Sequence, residues 1–172
     1  WNIGEVMMYR NKDEKEKTIQ AITSRGSDKF SQQSFNYAIA DSERKDVSVA
    51  SRFEIKDYAQ NIAKEYYVNM NLLRSYADDI IAPDRTVPIE HSYKNHVRQV
   101  VTMDIPKGYH VSYLPPDKEK NVNGLFSYRI AYYRTAKQVQ LVKEFEQQAL
   151  YVLPAQFADE NKLVDDLKKQ YK

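Results

Sequence analysis

Residues 97–108, VRQVVTMDIPKG, decide the fold. Val97, Val101, Met103 and Ile105 recur at spacing two, with Arg98, Thr102 and Asp104 between them, which is the alternation of a strand with one buried face. Pro106-Lys107-Gly108 then interrupts it. Proline fixes φ and withholds a donor, and glycine accepts positive φ, so the chain is expected to turn here. It returns as a strand over residues 109–114, which Pro115-Pro116 ends. A polar connection closed by Asn123-Gly124 follows. Phe126, Tyr128, Ile130 and Tyr132 then alternate against Ser127, Arg129 and Ala131, and Val139, Leu141 and Phe145 continue the pattern beyond residues 135–137. Three or four antiparallel strands within about fifty residues are the centre of the expected fold.

Working outward towards the N-terminus, residues 75–88 hold two prolines and several charges and read as a loop leading to a strand near Ile89. Over residues 58–73, Ile62, Tyr66 and Met70 fit helical spacing while Tyr66-Tyr67-Val68 has strand composition, and the composition favours a strand over residues 64–73. Val47, Val49, Phe53 and Ile55 at spacing two, against Ser48, Arg52 and Glu54, give another. Before a charged connection at residues 41–46, a helical hairpin is expected. Its first helix is opened by Asp13 and Glu16, carries Ile19 and Ile22 and ends at Gly26. Its second is capped by Ser27 and carries Phe30, Ser34, Tyr37 and Ala38. Residues 5–10 form a short apolar stretch suited to an entering strand.

Towards the C-terminus the period changes. Pro154 suits a first helical turn, where its missing N–H is not needed. Phe157, Val164, Leu167 and Tyr171 form an apolar stripe, with Asp159, Lys162, Asp166 and Lys169 outside it. The expected class is mainly β: an antiparallel β-sandwich with an N-terminal helical hairpin and a C-terminal amphipathic helix. The division is a helical lead-in over residues 1–44 and a sandwich with its closing helix over residues 45–172.

Composition excludes more than it assigns. A chain of 172 residues can bury a core without staples. It has no cysteine, so disulfides, thiolate metal sites and a cysteine nucleophile are excluded within it. Lys and Arg number 26 against 24 Asp and Glu, a net charge of +2 that gives no electrostatic reason to expect nucleic acid. No apolar run reaches the roughly 20 residues of a membrane-spanning helix. The chain starts at Trp1 without an initiator Met or a leader, and reads as a fragment or processed product.

Candidate chemistry is sparse. His91 and His96, five apart, fall on opposite faces of an uninterrupted strand, and His110 lies beyond a turn, so no metal site is expected. There is no G-x-S-x-G elbow and no phosphate-cradling glycine loop. Asp78-Asp79 and Asp165-Asp166 are acidic pairs in a loop and on a helix surface, where acid catalysis would need one of them desolvated. No catalytic, cofactor-binding or metal residue is assigned, no cofactor is expected, and the chain is read as not an enzyme. Tyr66, Tyr67, Tyr128, Tyr132, Tyr133 and Tyr151 are candidates for a platform that stacks on sugar rings. Strand packing accounts for the same tyrosines.

Several segments carry a resemblance. Lys45-Asp46-Val47, Phe53-Glu54-Ile55-Lys56-Asp57-Tyr58, Arg85-Thr86-Val87-Pro88-Ile89, Ile105-Pro106-Lys107-Gly108-Tyr109, Tyr113-Leu114-Pro115, Phe126-Ser127-Tyr128 and the final Tyr171-Lys172 run in that order. In this the chain resembles, over residues 45–172, the uncharacterised C-terminal domain that follows a transglutaminase-like domain in multidomain envelope proteins of Bacteroidetes. Residues 1–44 resemble the helical segment between the two. The resemblance implies a periplasmic or cell-envelope parent with a papain-like Cys, His and Asp core, none of which can be carried onto this cysteine-free chain. It implies a non-catalytic accessory domain that packs against or positions the upstream catalytic domain. The alternative is an extracellular β-sandwich module that binds a glycan or a peptide through exposed tyrosines or an open sheet edge.

Overall fold

The structure, a computed structural model, describes residues 10–24, 28–41, 46–122 and 124–172. The chain divides into two compact units, residues 1–73 and 74–172. Among the described residues strands dominate, all strand pairing is antiparallel, and an amphipathic helix follows the last strand, as the sequence pattern predicts.

In the first unit, helix α1 spans Lys12–Thr23. Its N-terminus is closed by Asn11 rather than Asp13. The Glu14 N–H donates to Asn11 Oδ1 at 2.9 Å and the Asn11 N–H to Glu14 Oε2 at 3.3 Å, a reciprocal pair that satisfies two orphan donors. The expected helix end at Gly26, the cap at Ser27, the side chains of Ile19 and Ile22 and the strand over residues 5–9 lie outside the described residues. The second helix of the expected hairpin does not form. Phe30–Asp41 is strand β1, which pairs with β2, Asp46–Ile55. Phe30, Ser34, Tyr37 and Ala38 sit at helical spacing, but the aromatic Phe30, Phe35 and Tyr37 favour extended backbone once a strand partner is present. Phe30 lies opposite Ile55 and stacks near Phe53 with ring centroids 5.1 Å apart.

The expected strand over residues 64–73 shortens to β4, Glu65–Tyr67, which pairs with β3, Gln60–Ile62. Ala63 and Lys64 turn between them at φ 51° and 73°, the conformation of a two-residue hairpin loop, so Lys64 is a turn residue. Residues 68–73 find no strand partner among the described residues.

The second unit is built on one sheet in the order β6, β9, β8, β7, where β6 is Asn95–Asp104, β7 Lys118–Val122, β8 Phe126–Arg134 and β9 Gln138–Gln147. A two-residue strand β5, Ile89–Glu90, pairs separately with β10, Tyr151–Val152. The turn at Pro106-Lys107-Gly108 forms, with Gly108 at φ 89° and the Tyr109 N–H donating to Pro106 O at 3.0 Å. The return over residues 109–114 is irregular, however, and the next strand is β7 within the supposed polar connection. Lys118, Glu119 and Lys120 hide this strand from pattern reading because it is a sheet edge, where charge blocks further pairing.

Register assigns the faces. Val97, Val101, Met103, Val139, Leu141, Phe145, Phe126, Tyr128 and Ile130 share one face. Helix α2, Phe157–Lys169, lies on that face after a turn of 3-10 helix over Pro154–Gln156. Phe157, Leu163, Val164, Leu167 and Tyr171 are buried. Asp166 is not outside the stripe: the Tyr128 hydroxyl donates to it at 2.6 Å, and Lys120 approaches at 3.2 Å. Burial works to raise its carboxyl, but the hydrogen bonds from Tyr128 and Lys120 and the nearby lysine charges outweigh it and hold the group below the ordinary range. The opposite face carries Arg98, Glu144, Arg129 and Glu119 in one row across the four strands, with Arg98 Nε 3.2 Å from Glu144 and Arg129 bridging Glu144 and Glu119.

Candidate functional site

The loop over residues 74–88 lies against the covered face, and its side chains explain why. Tyr76 adopts φ 63°, uncommon for a bulky residue. Its ring packs against Phe126 and Phe145, with centroids 4.9 and 5.1 Å away, and its hydroxyl reaches Asn95 Oδ1 at 3.3 Å. Ser75 is held on two sides. Tyr171 donates to its carbonyl at 2.8 Å, and Gln99 Nε2 donates to its hydroxyl at 2.8 Å. Further on, Asn161 of α2 reads the Ile81 peptide as a neighbouring strand would. The Ile81 N–H donates to Asn161 Oδ1 at 2.8 Å and Asn161 Nδ2 donates to Ile81 O at 2.9 Å. These contacts fix a curved loop in front of the sheet where no ladder bonds are available to hold it.

Between this loop, α2 and the β5–β10 ribbon opens a cleft of about 720 Å³, within the size range of small-molecule sites. Its apolar walls come from Ile80, Ile81, Ile89, Val152, Val164 and Phe126, with the rings of Tyr76 and Tyr93 beside them. Ile81, Leu125, Val152 and Phe157 form the buried cluster beneath. Polar side chains share the lining, among them Asp79, Arg85, Glu90, His91, Asn95 and Gln147. Arg85 lines the cleft, but its guanidinium donates to the carbonyls of Val87 and Pro88 at 3.0 and 3.1 Å and so stiffens its own loop. Glu90 accepts the Tyr151 hydroxyl at 3.0 Å.

Glu160 is the unusual member. It is 8% exposed, and its Oε2 is buried without a hydrogen-bond partner. Burial raises its carboxyl above the ordinary value because the charged form loses hydration. A group of this kind is costly to the fold unless something else satisfies it.

The residues singled out from sequence are scattered. His91 lines the cleft, while His96 is exposed on the open face and His110 is exposed in the loop after β6. Among the described residues no three His, Asp or Glu side chains converge as metal ligands. Asp79 lines the cleft, Asp78 meets Lys168 at 3.6 Å and Asp165 is exposed. Of the tyrosines in the second unit, Tyr128 is core, Tyr133 stands beside Arg129 on the open face and Tyr151 stands on the ribbon, so these do not share one platform. Tyr66 and Tyr67 belong to the first unit, and both are exposed.

Glu160, Asn161 and Tyr76 were not singled out. Glu160 could have been, because it falls on the stripe Phe157, Glu160, Val164, Leu167 and Tyr171, where a charge contradicts the helical period. Asn161 and Tyr76 act across 80 and 50 to 69 positions of sequence, and nothing local announces such partners.

A family model described as a domain of unknown function with solved structure, DUF3858, matches residues 64–172. No curated protein and no solved structure matches the chain. Among the described residues, no helix is long and apolar enough to cross a membrane.

Proposed function

The chain belongs to the DUF3858 family, and on that premise we propose that it is a non-catalytic accessory domain of a transglutaminase-like protein of the bacterial envelope, of the kind found in Bacteroidetes. Its work in this reading is to pack against the upstream catalytic domain and hold it in position. The observation that carries the reading is the outward face of the β5–β10 ribbon. Tyr151 and Leu153 are 55% and 51% exposed there, and Leu150, Val87 and Tyr93 are exposed beside them on the flanking segments. Apolar side chains gathered on a short ribbon suit a surface that another domain covers. The test is to measure association of residues 64–172 with the catalytic domain supplied separately, and acyl transfer by the parent protein with and without those residues. Binding that is lost on Tyr151→Ser with Leu153→Ser is the expected result. A parent protein whose stability and turnover are untouched by removing residues 64–172 overturns it.

The cleft favours a second reading, a module that binds an extracellular peptide or glycan. Saturable binding to members of a peptide and glycan panel supports it. A flat response across that panel removes it.

A further inference from the structure

Glu160 and the cleft around it carry an inference about ligand chemistry, which deepens the second reading because it names what the cleft selects. The cleft is lined by three carboxylates, Asp79, Glu90 and Glu160, against one guanidinium, Arg85, which is committed to its own loop. Glu90 already accepts a hydroxyl, whereas Glu160 is more than nine-tenths buried with a carboxylate oxygen that meets no donor. Chains bury such a group unpartnered only at a cost, and a cation delivered to it recovers that cost as binding energy. The walls carry the aliphatic Ile80, Ile81, Ile89 and Val164 and the aromatic Tyr76 and Tyr93, beside the polar His91, Asn95 and Gln147. A ligand that fits has a compact positive charge at the end of an aliphatic stem.

We propose that this cleft binds an aliphatic primary ammonium group, with Glu160 as its counter-ion at the floor and the apolar walls holding its methylene chain. Two sources present this chemistry, a lysine side chain in a peptide and a free diamine. A lysyl peptide also brings backbone donors and acceptors to the polar lining of the cleft, and a diamine does not.

Calorimetric titration of the whole chain tests the proposal with four probes: Nα-acetyl-lysine methylamide, 1,5-diaminopentane, the uncharged 1-pentanol, and an uncharged peptide of Gly and Ser. Saturable binding of one or both amines is expected, with no binding of 1-pentanol. Preference for the lysine derivative identifies a peptide source, and preference for the diamine a free amine. Glu160→Gln keeps the shape and removes the charge, and is expected to weaken amine binding at least about thirtyfold, as loss of one member of a desolvated ion pair does. Nuclear magnetic resonance of the Glu160 side-chain carboxyl in the unaltered chain gives a second readout. A saturating amine should shift its titration towards lower pH, because an adjacent cation favours the carboxylate. If the amines bind no better than 1-pentanol, or bind without moving the Glu160 titration, the proposal is overturned. Binding of the uncharged peptide in that case leaves the binding-module reading standing. Silence from all four probes counts against the ammonium chemistry, and the broader panel then decides the module.

Discussion

Lys143 shows how one residue can set the pH response of a fold. It lies on the covered face of β9, 1% exposed, with its ammonium 5.0 Å from the centre of the Tyr171 ring. Burial pushes it down from 10.5 to about 8, so desolvation outweighs the attraction of the ring. Between those values the unfolded chain binds more protons than the folded one, and stability therefore rises with pH. Above 10.0 the buried hydroxyls of Tyr128 and Tyr171, both raised by burial, act in the opposite sense: they stay protonated in the fold while the unfolded chain ionises. The expected outcome is a denaturation free energy that climbs by on the order of 2–3 kcal/mol from pH 8 to pH 10. Lys143→Met should flatten that climb. Chemical denaturation across the window checks it, and an equal slope in both proteins would show that Lys143 is not its source.

Asn161 is the second residue whose effect can be measured apart from general stability. Asn161→Ala leaves both polar groups of the Ile81 peptide without their partners, at a cost of about 1–3 kcal/mol. Hydrogen exchange at the Ile81 amide should accelerate well beyond that at the β8 and β9 amides. Uniform acceleration would mean that the clamp supports the whole unit and not the loop.

At the scale of elements, α2 is too short to persist without docking, so its stability comes from the sheet. Leu167 is fully buried, and Leu167→Ala should cost roughly 2–5 kcal/mol. Lys169 is exposed, and Lys169→Ala should stay within about 0.5 kcal/mol. Equilibrium denaturation of the three chains checks both, and an unchanged midpoint for Leu167→Ala would mean that the helix does not support this unit. The helix, β8 and β9 were legible because their apolar residues recur on one buried face, and β2 and β6 because apolar and polar residues alternate along them, which writes a period into the sequence. β1 and β7 were not. Their identity comes from the strand they pair with, and the charges of Lys118, Glu119 and Lys120 serve the edge position while erasing the alternation. The strand expected over residues 109–114 fails for the reverse reason: it has the composition of a strand, but among the described residues no neighbouring strand forms a ladder with it. The cleft was legible only as an anomaly, a glutamate on an apolar stripe.

At the scale of the whole molecule, the two units differ in what a cut does to them. A fragment of residues 74–172 keeps every strand of the four-stranded sheet, the β5–β10 ribbon and α2. It should unfold in one cooperative transition and remain monomeric. A fragment that begins at residue 45 keeps β2 but loses β1, the strand it pairs with, leaving a ten-residue strand with both edges bare among the described residues. Such edges recruit other chains. Sedimentation of the two fragments should show self-association of the longer one, and a monomeric longer fragment would mean that β2 is protected in some other way.

Synthesis gives the Asn161 and Tyr171 tethers a meaning in time. The loop that walls the cleft leaves the ribosome early, yet the side chains that hold it lie 80 and 96 positions later, at Asn161 for Ile81 and at Tyr171 for Ser75. At translation rates of about 5–20 residues per second, that interval lasts roughly 5–20 seconds. Strands β6 to β9 can pair within it, because all of them are made before α2. During nascent growth the sheet therefore waits with its apolar face bare, and the cleft cannot exist until the chain has been made through Tyr171. A ligand that needs the cleft can meet only a finished domain.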